Sequence, residues 1–171
     1  MPVSGATISG SVSKSLTSLS RDLPTEITDF GSRNTAWLSN EIRQETPVGE
    51  DEHPTHLRDS YYIVGPTVTT HTRRFRVKTD VKYAPWVEWD TGIHGPRGSR
   101  YMITGKRGNL LRFFWKKRGK MVTARYVMHP GSKGAHMFAK GADALERHLP
   151  QRMQNFVYAE SRKHGFKVVT R

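Results

Sequence analysis

Apolar residues fall at Leu23, Ile27, Phe30, Trp37, Leu38 and Ile42, spacings of three, four and seven that mark one face of a helix. Asp22 is placed to cap its start, and Pro24 suits a first turn, where no amide donor is missed. Gly31 and Asn34 weaken the helix without ending it, and Pro47 stops it. Residues 1–20 are rich in Ser, Thr and Gly and read as a flexible arm, with Leu16 and Leu19 spaced to dock its end as one helical turn. Residues 46–56 hold Pro47, Gly49, Pro54 and the acidic run Glu50-Asp51-Glu52, which predicts a loop.

From Leu57 the period shortens. Tyr61-Tyr62-Ile63-Val64 reads as a strand ending at the Gly65-Pro66 turn. Arg74, Arg76 and Lys78 then alternate with Phe75, Val77 and Thr79, the mark of a strand with one inward and one basic, wet face. The aromatic stretch Tyr83 to Trp89 reads as a short strand with Trp86, Glu88 and Asp90 on one side and Val87 and Trp89 on the other. One Trp is expected in the core and the other near a contact. Asp90 to Arg100 is glycine-rich and predicts a long loop. Leu110 to Trp115 and Met121 to Val127 predict two strands of a hairpin, with Lys116-Lys117-Arg118-Gly119-Lys120 at its tip. His129 to Gly134 is another loop. Ala142, Leu145, Leu149, Met153, Phe156 and Val157 then trace a C-terminal helix that Pro150 either kinks or divides, and Gly165 can end it. The order predicts an α+β fold: an antiparallel sheet with a long basic hairpin, packed against an N-terminal and a C-terminal helix. The expected layout is an arm over 1–20, a single domain over 21–165 and a short tail over 166–171.

Charge changes the picture. The 171 residues include 28 Lys and Arg against 15 Asp and Glu, a formal net of +13. Residues 1–65 hold five basic and nine acidic side chains, and residues 66–171 hold 23 and six. Between 91 and 142 there are twelve basic residues and no acid. Such a field attracts polyanions or acidic protein surfaces, and its segregation also suits head-to-tail self-assembly. Cysteine is absent, which excludes a disulfide scaffold and a thiolate metal site. No apolar run is long enough for a membrane span, and no secretory leader is expected at the N-terminus. The basic residues lie on strands and loops rather than on a helix with an opposite apolar face, so no membrane partner is expected.

Candidate chemistry is sparse. Glu88, Asp90, His94 and His129 are residue types that bind metals or move protons, but no metal-ligand spacing connects them. No phosphate loop, nucleophile elbow or nucleic-acid-reader motif occurs. No cofactor, metal or catalytic residue is therefore expected. Arg112, Lys116, Lys117, Arg118 and Lys120, with Trp115 beside them, suit nonspecific contact with DNA or with an acidic partner.

Several short elements stand in an ordered series: Thr46-Pro47-Val48, Leu57-Arg58-Asp59-Ser60, Tyr83-Ala84-Pro85-Trp86-Val87-Glu88-Trp89-Asp90-Thr91, and His129-Pro130-Gly131-Ser132 followed by Met137-Phe138. In order and spacing, over about residues 22–160, they resemble the tail-completion or neck proteins (head–tail connector, minor tail) of long-tailed bacteriophages. Asp90 stands where that family has Gly, and the Gly usual before Leu57 is missing. The acidic insert 49–54 and the basic hairpin 106–125 enlarge the common core.

The resemblance implies a noncatalytic virion protein, made in the host cytoplasm and placed at the neck. It implies a homo-oligomer, a hexameric ring, that completes the tail and joins it to the head connector with a channel for DNA. Adjacent neck proteins, a connector or stopper and a tail terminator or tail tube, are the implied partners, with nonspecific contact to genomic DNA. Expected subunit contacts are Leu57, Arg58, Trp86, Glu88, Trp89, Asp90, His129, Pro130 and Gly131; aromatic anchors dominate such interfaces. The alternative from the residues alone is a small basic nucleic-acid-binding or RNase-like protein, with His129 and Glu88 as its acid–base pair.

Overall fold

A computed structural model describes residues 10–48 and 57–166. The acidic run Glu50-Asp51-Glu52, residues 1–9 of the expected arm and residues 167–171 of the expected tail lie outside the described residues. The elements are α1 (Gly10–Glu45), β1 (Tyr62–Val68), β2 (Arg73–Lys78), α2 (Ala84–Glu88), β3 (Tyr101–Thr104), β4 (Leu111–Trp115), β5 (Lys120–Ala124), β6 (Tyr126–His129) and α3 (Met137–Lys163). Helices lie at both ends of the chain with small antiparallel ladders between them, an α+β fold. The strands form three two-stranded ladders, β1–β2, β3–β6 and β4–β5, where one sheet was expected. The chain gathers into two compact units, one containing α1, β1, β2 and α3 from Ala139, the other spanning Asp80–Phe138.

In the first unit, α1 begins at Gly10, so the second half of the expected arm is helical. Its hydroxyls bond backward to the helix itself, Thr17 Oγ1 to the Ser13 carbonyl and Ser18 Oγ to that of Ser15. Asp22 and Pro24 accordingly stand inside the helix rather than at its start; Pro24 costs one backbone bond and the helix continues through it. α3 likewise runs unbroken through Pro150.

The two helices lie antiparallel, as their contacts show. Lys140 pairs with Glu45 at 2.9 Å, the Phe156 ring meets Phe30 at 4.7 Å, Arg152 lies 5.0 Å over Trp37, and Lys163 bonds Glu26. At the far end Ser18 Oγ and His164 Nδ1 are 2.8 Å apart. Gly141 permits the close approach, because a Cβ there would lie 2.8 Å from Ile42 Cγ1. α3 ends in a Schellman turn: the Phe166 amide bonds the Ser161 carbonyl, the Gly165 amide bonds that of Arg162, and Gly165 takes φ +80°.

β1 continues past Gly65-Pro66, with an irregular register between Val64 and Thr67. β2 alternates as expected, with Phe75 and Val77 half-buried and Arg74, Arg76 and Lys78 exposed. Phe75 reaches α1 at Gly31, where a Cβ would lie 2.4 Å from its ring. The glycine that weakens the helix therefore supplies the slot for this strand. Along the predicted face of α1, Ile42 is fully buried and Leu23, Phe30, Trp37 and Leu38 are half-buried, while Ile27 is exposed.

Candidate assembly and contact surfaces

The resembling elements are physically joined in pairs. In the first unit, Thr46 and Leu57-Arg58 form one cluster. Arg58 Nη2 donates to the Thr46 carbonyl at 3.1 Å, and Thr46 Oγ1 bonds the Ile42 carbonyl and meets the Tyr61 hydroxyl. Leu57 is buried, and Ser60 Oγ lies 2.6 Å from Thr79 Oγ1. Arg58 thus satisfies a carbonyl left open at the end of α1, a local structural duty.

In the second unit, residues 87–93 and 130–136 are locked together. The Ala135 amide bonds the Val87 carbonyl at 2.7 Å, His136 that of Glu88, Thr91 that of Ser132, and Ile93 that of Pro130. Side chains close the remaining gaps. Asp90 Oδ1 accepts the Gly134 amide at 2.8 Å, Thr91 Oγ1 accepts that of Ser132, and His129 Nδ1 accepts that of Gly131. Glu88, only 5% exposed, takes the Phe138 amide in the first turn of α3 at 3.0 Å, where an anion also meets the helix dipole. Glycine is required at three crossings. A Cβ on Gly92 would lie 2.1 Å from the Pro130 carbonyl oxygen, on Gly131 2.0 Å from that of Thr91, and on Gly134 2.4 Å from that of Glu88.

Tyr83 to Trp89 is not a strand. Its centre is the short helix α2, with Pro85 in its opening turn, so the expected two-sided alternation fails. Trp86 and Trp89 are both open, at 64% and 60% exposure, and neither is in the core. Of the nine residues expected at a subunit contact, these two present open rings. Glu88, Asp90, His129, Gly131 and Arg58 engage polar groups within their own units, as does the carbonyl of Pro130, and Leu57 is core. Thr91 and Ser132, quoted in the resembling elements but not among the expected contacts, complete the lock with Gly134 and His136, which sequence reasoning missed; the clustered glycines were the available signal.

The basic hairpin is present, but the second strand expected over Met121 to Val127 divides: β5 ends at Ala124, and Tyr126–His129 form β6, which pairs with β3 instead. β4 and β5 pair from Leu111 opposite Ala124 to Trp115 opposite Lys120. Lys116–Arg118 form a 3-10 turn, and Gly119 reverses the chain at φ +60°. Arg112, Lys116, Lys117, Arg118 and Lys120 are all exposed. None has an acidic partner among the described residues, and Arg118 stacks on Trp115 at 4.6 Å.

Apolar side chains remain uncovered on both ladders of this unit. Phe114 and Met121 face each other across β4–β5, and Met102 and Met128 across β3–β6 with Tyr126 on the same face; all are exposed. Two-stranded ladders are marginal in water by themselves.

No three His, Asp or Glu side chains gather in a way that could hold a metal ion among the described residues. No helix among them is long and apolar enough to cross a membrane. Against protein-family models, curated proteins and solved structures alike, the chain gives no match.

Proposed function

We propose that the chain is a structural subunit of a phage neck or tail junction, a ring-forming protein that completes the tail and joins it to the head connector around a channel for DNA. The observation that carries this reading is the thinness of the core. Among the described residues only Ile42, Leu57, Tyr61, Ala84 and Met137 are buried apolar side chains, whereas Trp86, Trp89, Met102, Tyr126 and Phe114 are each more than half exposed. Exposed apolar surface of this extent marks protein contact sites. A subunit whose apolar surface is completed by its neighbours has this distribution. The order of the resembling elements supports the same reading, since each pair forms a turn lock that a shared fold would preserve. The unpaired charges of the hairpin suit either the channel wall or an acidic face of an adjoining ring.

The test is the mass of the purified protein by light scattering at low and high salt, with negative-stain microscopy. A closed ring, several times 19.5 kDa, is expected. A monomer at both salts, with no rings in the images at high protein concentration, overturns self-assembly.

A further inference from the structure

The second unit carries a cleft of about 900 Å³ beside the 90–100 loop, with no residue of the basic hairpin in its lining. Trp86 and Tyr101 line it together with Arg97, Arg100, Ser99 and Asp90. Both rings are exposed, Trp86 at 64% and Tyr101 at 42%. Both guanidinium groups are exposed, and neither has a hydrogen bond or ion pair to another described residue. The one acid on the wall is already engaged, Asp90 holding the Gly134 amide and lying 3.5 Å from His136 Nε2. The walls are firm. Tyr101 is paired with His129 across β3–β6, their rings 5.3 Å apart, and the loop is tied at the Gly92–Pro130 crossing.

We propose that this cleft binds single-stranded nucleic acid, bases stacking on Trp86 and Tyr101 and phosphates meeting Arg97 and Arg100. An acidic peptide would use the two guanidinium groups and leave the open ring faces wet. A nucleotide strand uses both, and its charge matches a unit with twelve basic and three acidic residues. Bases inside a duplex are already stacked, so the cleft favours a single strand over a duplex. This inference does not depend on ring assembly.

The test is binding of fluorescein-labelled dT20 by anisotropy, with the quenching of tryptophan fluorescence read in parallel and the mass of each variant measured in the same buffer. A blunt duplex and polyglutamate of equal charge are the competitors. Trp86→Ala is expected to weaken dT20 binding about tenfold, and Trp86→Phe to recover most of it. Arg97→Ala and Arg100→Ala are each expected to reduce the slope of log affinity against log salt by about 0.7. Wild-type affinity in Trp86→Ala overturns the proposal. So does polyglutamate that competes as well as dT20 and loses affinity to the same variant, which would mark an acidic protein surface instead. Should Trp86→Ala fail to fold, the double variant Arg97→Ala/Arg100→Ala decides through its exposed positions: an unchanged salt slope refutes the cleft.

Discussion

At the scale of single residues, the second unit depends on backbone crossings that admit no side chain. Gly131 has φ +91° and its missing Cβ would sit 2.0 Å from the Thr91 carbonyl oxygen on the facing segment. Gly119, at φ +60°, has open space around it. Both positions cost an alanine its backbone preference, but Gly131→Ala also forces two chain segments apart. In urea unfolding, Gly119→Ala is expected to cost about 1 kcal/mol and Gly131→Ala about 3 kcal/mol or more. Equal losses would mean that the crossing yields easily. Glu88 is a second such residue. As a buried carboxylate it holds a backbone amide of α3, so Glu88→Ala should cost about 1–3 kcal/mol in the same measurement, and Glu88→Gln less because it retains an acceptor oxygen.

At the scale of elements, the antiparallel pairing of α1 and α3 is fastened by ion pairs at its rim. Lys163 is raised above the ordinary lysine range, chiefly by its bond to Glu26; desolvation opposes this, and the nearby Glu160 adds to the rise. A raised lysine stabilises the folded state fully below its unfolded value and ceases to do so as pH climbs through the folded one. Helix pairing is therefore expected to weaken in the alkaline range, above about pH 10. Lys163→Met should flatten that part of the stability profile, read by circular dichroism across pH. The effect is small, because the pair is exposed and screened.

Much of this element structure was legible in the sequence. The strict alternation of β2, the turn glycine of the hairpin and the stop at Gly165 each rest on a local rule, and each is found in place. Two errors have a common origin. The serine-rich start of α1 has weak helix propensity, and the aromatic rings of Tyr83 to Trp89 favour a strand although Pro85 suits a helix start, yet partners distant in sequence settle both. His164 receives Ser18, and residues 134–136 receive the end of α2. β3 escaped notice for the same reason: four residues following a glycine-rich loop carry little period, and only the register with β6 makes them a strand. At the candidate site, the exposed hairpin charges were legible, since lysine-rich tips remain in water. The lock between 87–93 and 130–136 was not, because hydrogen bonds between backbone atoms leave little sequence trace beyond glycine.

At the scale of the whole molecule, the two units differ in how the chain composes them. The second is one continuous stretch, Asp80–Phe138, while the first is gathered from segments on either side of it. Limited proteolysis should respect this division. The cut expected first falls near residues 79–82, and a later nick in the hairpin tip should leave two peptides, one with the locked segment 87–93 and one with 130–136, that stay together until denatured. Mass spectrometry of the fragments checks this, and early cleavage within 87–93 would contradict it.

The discontinuity also sets an order of events during synthesis. Chains emerge from the ribosome N-terminus first, at about 5–20 residues per second. α1 is made early, but the helix that covers Phe30, Trp37 and Ile42 comes only after the whole second unit has been translated. For several seconds the nascent protein thus carries a long amphipathic helix whose α3-facing positions are still unclaimed, followed in the chain by a unit that already has all of its own residues. That interval is when a holdase binding apolar helical stripes would have a target, and the docking of α3 would remove it.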